Sequence, residues 1–205
     1  KRQLSEVRFF RFIETEIAGI PLVIARTGWS GQRGFELYLD APSEGERLWD
    51  AIVDAGADLD LRPGCPNLID RIETGLLSFG NDMTLRNNPI EAGLDRFFKM
   101  GKAAEYLGQK ALEQIAESGP DKRMVRLVVP GAAIANPRGT YAIKVGEAKR
   151  SGEVTSITYS PRFDYNVGLG YVPADASDVG TQVVIHGPDE IVTGQIANND
   201  WRTSD

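Results

Sequence analysis

Apolar and polar positions change rhythm along this chain, and the rhythm predicts its elements. Residues 7–13 and 21–26 alternate or run apolar, with Ala18-Gly19 between them, and read as two strands joined by a short turn. A third strand, Phe35 to Leu39, follows a loop holding Gly28, Gly31 and Gly34. Ser43 with Glu46 three residues on resembles a capping box. Leu48, Trp49, Ile52 and Val53 then give a helical apolar stripe ending near Gly56. Pro66 suits the first turn of a second helix, with Leu68, Ile69, Ile72, Leu76 and Phe79 as its buried face and Gly80 as its stop. Residues 81–100 carry turn chemistry around Asn87-Asn88-Pro89. A third helix is expected from about Leu107 to Ser118, closed by Gly119-Pro120.

After Pro120 the texture becomes β-rich. Six short runs, 124–129, 141–145, 152–159, 168–172, 181–185 and 191–196, are separated by Gly, Pro, Asn or Asp. That spacing is the pattern of a small barrel or sandwich. The predicted class is α+β, with an α+β portion over residues 1–119 and an all-β domain over 120–205.

At 205 residues with 41% hydrophobic and 25% charged positions, the chain holds enough apolar material for a real core. A net charge of −6 argues against a nucleic-acid partner, which calls for clustered Lys and Arg. No apolar run approaches the roughly 20 residues of a membrane span, and no signal peptide is visible, so cytoplasm is the expected compartment. The lone Cys65 excludes an internal disulfide, and with the single His186 it cannot build a zinc site from nitrogen and sulfur ligands. The start at Lys1, almost directly in a strand-like run, reads as that of a fragment.

The candidate chemistry is sparse. Glu36 opens an apolar strand, where a buried charge needs a partner or a ligand, and the glycine-rich turn before it delivers Trp29 to the same place. Arg71 sits on the second predicted helix beside Asp70 and Glu73. One reading is a surface ion pair at helical spacing; the other is a guanidinium offered to a carboxylate ligand. Trp29 has the equivalent bland reading, a loop residue folded onto the core. His186 reads as a surface residue at the edge of the β domain and Cys65 as a packing residue. No phosphate-cradling motif follows a strand.

Five ordered segments together resemble the glycine-cleavage T-protein family of tetrahydrofolate-dependent one-carbon transferases. They are Arg26-Thr-Gly-Trp-Ser-Gly-Gln-Arg-Gly-Phe-Glu36, Arg71-Ile-Glu-Thr-Gly-Leu-Leu-Ser-Phe-Gly-Asn-Asp-Met83, Pro89-Ile-Glu-Ala-Gly-Leu94, Leu107-Gly-Gln-Lys-Ala-Leu112, and Gly152 to Pro161 continued by Asn166 to Val172. The resemblance implies a ferredoxin-like α/β portion followed by a C-terminal β-barrel. Residues 63–73 and Trp29, where aminomethyltransferases usually carry Tyr, look most like the branch that demethylates dimethylsulfoniopropionate.

By this resemblance the cofactor is tetrahydrofolate, and its matching contacts are Glu36 to the pterin, Trp29 against the folate ring system and Arg71 near the glutamyl tail or aminobenzoyl region. Tyr159 is a further candidate contact. No catalytic residue is assigned, because the family's aspartate belongs to an N-terminal region not matched here. The implied partners are a small-molecule methyl donor and the missing N-terminal part of the same protein, with no nucleic acid, membrane or metal. The fragment alone is expected to be inactive. Alternatives are an aminomethyltransferase of the glycine cleavage system and a non-catalytic folate-binding module.

Overall fold

A computed structural model describes residues 4–65, 67–102, 104–139, 141–146 and 151–198. Pro66, the expected start of the second helix, lies outside the described residues. The chain divides into two compact units, Lys1–Asp70 and Arg71–Asp205.

In the first unit β1 (Phe12–Ile17), β2 (Ile20–Ala25) and β3 (Glu36–Tyr38) form an antiparallel sheet in that order, followed by helix α1 (Gly45–Ala55). Ile20, Leu22 and Ile24 of β2 are buried with Leu48 of α1, and Ile13, Ile17 and Ile52 pack on them. The strand period of two sends β2's alternate side chains to the opposite face. β1 starts later than the apolar run predicts. Phe9 and Phe10 pack on each other in a turn, with ring centroids 4.4 Å apart, and Phe10 has a φ of 58°. The capping box does not form. Pro42–Glu44 make a short 3-10 turn that leads into α1, and no side chain caps the helix. The buried stripe of α1 is also narrower than expected, because Trp49 and Val53 are exposed.

Helix α2 (Leu68–Thr74) ends well before Gly80. Gly75 takes a φ of 69°, its N–H donates to the Ile72 carbonyl, and the Leu76 N–H donates back to Arg71. This pair of bonds is a Schellman ending, which a glycine adopts without steric cost. Leu76 and Phe79 therefore lie beyond the helix, with Phe79 exposed. A Cβ on Gly75 would overlap the guanidinium of Arg126, so the turn also admits that side chain. Helix α3 (Gln109–Ser118) closes at Gly119 as predicted.

The remaining strands are β4 (Lys122–Val129), β5 (Tyr141–Val145), β6 (Ser151–Ser160), β7 (Tyr165–Pro173), β8 (Gln182–His186) and β9 (Ile191–Ala197). They close a barrel in the order β4-β7-β6-β5-β8-β9, every neighbour antiparallel. Leu127, Val129, Ile143, Ile157, Val172, Val183, Ile185 and Ile196 fill its interior. The architecture is α+β with a C-terminal barrel, as the sequence implies. Among the described residues no helix is long and apolar enough to cross a membrane.

Candidate functional site

The β2–β3 hairpin carries two of the three predicted site residues. Its register sets Ala25 opposite Glu36 and Val23 opposite Tyr38. Glu36 and Tyr38, two residues apart, therefore share one face of the sheet, the face away from the Ile20, Leu22 and Ile24 core. Of the three loop glycines only Gly31 has a left-handed backbone, with a φ of 67°. Gly28 and Gly34 have open space where a side chain would stand. Trp29 is 40% exposed on this loop.

Glu36 is exposed, which corrects the expectation of a charge lodged in an apolar strand. Its carboxylate is nonetheless held. Thr27 Oγ1 donates to Glu36 Oε2 in a short hydrogen bond, and the Tyr38 hydroxyl donates to the same oxygen at 3.1 Å. Oε1 receives no hydrogen bond from any described residue. A carboxylate oxygen carries two lone pairs, so Oε2 is saturated while Oε1 stays available to an incoming N–H.

Arg71 belongs to the second unit and is 1% exposed. Its Nη1 lies 2.5 Å from Asp82 Oδ2 and also donates to the Leu76 carbonyl at 2.8 Å; Nη2 donates to Ser156 Oγ at 2.7 Å. The buried Asp82 in turn accepts from the Ser78 N–H at 2.8 Å, Thr155 Oγ1 at 2.8 Å and Ser156 Oγ at 2.6 Å. Two consecutive side chains of one strand reach a single carboxylate because the β6–β7 ladder is irregular between Val154 and Ser156, and a bulge re-aims a side chain in this way. Glu73, also buried, accepts from Ser160 Oγ at 2.5 Å. Neither the surface-pair reading of Arg71 nor an open guanidinium describes this arrangement.

The structure thus brings Trp29 and Glu36 together on one hairpin and sets Arg71 in a separate buried cluster. Thr27, Tyr38, Asp82, Thr155 and Ser156 escaped sequence reasoning. The usable signals were a hydroxyl two residues beyond Glu36 on its strand, and two adjacent hydroxyls interrupting a strand. Tyr159 gives its hydroxyl to Asp164, a bond that holds its pKa above the usual tyrosine value. Cys65 is exposed and His186 is half-buried in β8. A polar cleft of about 380 Å³ in the second unit, lined by Glu91, Arg96, Arg123 and Arg126 among others, contains none of the three predicted residues.

Comparison with known proteins covers almost the whole chain. The family model for the GCVT N-terminal domain matches residues 1–102, and that for the glycine cleavage T-protein C-terminal barrel domain matches residues 122–198. The chain is 39% identical over 199 residues to dimethylsulfoniopropionate demethylase of Ruegeria pomeroyi, covering 97% of this chain and 54% of that protein. It is 34% identical over 195 residues to an aminomethyltransferase of Halothermothrix orenii, covering 94% and 53%. The crystal structure of the glycine cleavage system aminomethyltransferase T from Bartonella henselae superposes with a TM-score of 0.77 at 25% identity, over 95% of this chain and 52% of that one. The chain spans about half the length of the relatives it matches.

Proposed function

This chain belongs to the glycine-cleavage T-protein family, and from that premise we propose that the whole protein is a tetrahydrofolate-dependent methyltransferase that demethylates dimethylsulfoniopropionate. The hairpin carries the folate half of this reading: an exposed carboxylate, fixed through one oxygen and open at the other, with Trp29 on the same loop. That acceptor and aromatic fit a pterin, whose amino and ring N–H groups donate and whose flat ring suits an aromatic neighbour. Glu36 binds and orients the pterin and moves no proton. Trp29 packs on the folate ring system. Arg71, expected near the glutamyl tail or aminobenzoyl region, has its guanidinium engaged by Asp82, Leu76 and Ser156, and no folate contact is assigned to it.

The demethylase relative supports a sulfonium donor. A sulfonium already bears a good leaving group, so its methyl passes to a pterin nitrogen, the sulfur leaves as a neutral thioether with the bonding pair, and the nitrogen's proton goes to solvent. Alignment of the two reactants then supplies most of the acceleration. The aminomethyltransferase relatives support the second reading, in which a lipoylated carrier protein is the donor and ammonia is released. Assaying the whole protein with each donor decides between them. Turnover with dimethylsulfoniopropionate supports the first; turnover only with the lipoyl carrier, with ammonia released, overturns it. In either case Glu36→Ala weakens tetrahydrofolate binding about 10- to 100-fold, the worth of a hydrogen bond to a charged group. Unchanged affinity by titration calorimetry removes Glu36 from the site.

A further inference from the structure

Three side chains converge on one point of the first unit, and two of them have no part in the roles assigned so far. Thr27 follows β2 by two residues from Ala25, the register partner of Glu36. Tyr38 stands two residues beyond Glu36 on the same strand. Strand parity therefore puts both hydroxyls on the face that carries the carboxylate. Neither residue belongs to the core: Thr27 is half-buried, Tyr38 is 53% exposed, and the apolar cluster of this unit lies on the other face of the sheet. Both hydroxyls choose the same carboxylate oxygen, although the second oxygen is equally within the group.

We propose that Thr27 and Tyr38 are positioning residues of the folate site, holding Glu36 by Oε2 so that Oε1 alone is presented to the pterin. A glutamate has three rotatable bonds, and an exposed one samples many rotamers. Binding a ligand through it requires that freedom to be given up. Two donors on one oxygen impose that order before the ligand arrives. They also fill both lone pairs of Oε2. An incoming N–H is thereby directed to Oε1. The clamp thus sets affinity, and it does so with residues that contribute little to the core.

This inference rests on the folate reading of Glu36, and the experiment separates the two. In the whole protein, Thr27→Val and Tyr38→Phe each remove a hydroxyl while keeping the shape of the side chain. Each is expected to raise the Kd for tetrahydrofolate about 3- to 10-fold, the worth of one ordinary hydrogen bond. The donor KM and the kcat at saturating folate stay unchanged, and Thr27→Ser retains wild-type affinity. If Glu36→Ala weakens folate binding while Thr27→Val and Tyr38→Phe leave it within twofold of wild type, the clamp is overturned and the folate reading stands. If Glu36→Ala itself has no effect, both fall. A Thr27→Ser variant as weak as Thr27→Val also overturns the clamp, because the hydroxyl is then not what matters.

Discussion

The Tyr171 side chain is 2% exposed, with Lys122 Nζ 4.8 Å from its ring centroid, and its hydroxyl finds no hydrogen-bond partner among the described residues. Burial first, then the carboxylates of Glu91, Asp82 and Glu153, push its pKa up to about 12. The fold therefore favours the neutral phenol. An unfolded tyrosine ionises near pH ~10, so the stability linked to this group is complete below that value. It is lost as the pH rises toward about 12. Tyr171→Phe removes both the orphan hydroxyl and the titration. Urea unfolding is expected to show the variant more stable by about 1 kcal/mol at neutral pH. Wild type then loses further ground to it as the pH rises above about 10; parallel pH profiles for the two proteins count against this account. At this scale Glu36 is instructive too. Its identity as a candidate was legible in the sequence, but its reason was not: it is an exposed acceptor aimed by two hydroxyls, where its apolar neighbours implied a buried charge.

Helix α2 is fastened to β6 by polar and charged side chains, through Arg71 to Ser156 and Asp82, and through Glu73 to Ser160. Removing one member of such a pair strands the other. Asp82→Ala should cost about 3–5 kcal/mol in chemical denaturation, because it leaves Arg71 buried without its counter-ion. Asp82→Asn, which keeps hydrogen-bonding capacity, should cost less, and equal losses would remove the charge from the explanation. The six barrel strands were legible because each pairs an alternating or apolar run with Gly, Pro or Asx punctuation. The end of α2 was not. Gly75 sits inside an apolar period that continues to Phe79, and only the backbone shows that the glycine, with Arg126 packed against it, overrides that period. The Thr155-Ser156 irregularity escaped for a related reason: its purpose is Asp82, more than seventy positions away, and no local pattern carries that pairing.

The two units differ in how they treat strand edges. The barrel has none, since β9 returns to β4. The three-stranded sheet has two among the described residues: β3, only three residues long, and β1. Along β1 the outward positions Glu14 and Glu16 are exposed. Charge on an edge strand discourages another strand from adding to it. Replacing both with Val should raise self-association of this chain, measured by light scattering at matched concentration, whereas scattering indistinguishable from wild type would mean that β1's edge is already shielded. Closure of the barrel has its own consequence, in time rather than in stability. β4 is the first barrel strand made and β9 the last, and each must find the other. Domains fold as they leave the ribosome, amino end first, yet this seam cannot be sewn until β9 emerges. A nascent chain that stalls before Ile191 holds five of the six barrel strands, with β4 open along one side until β9 is made.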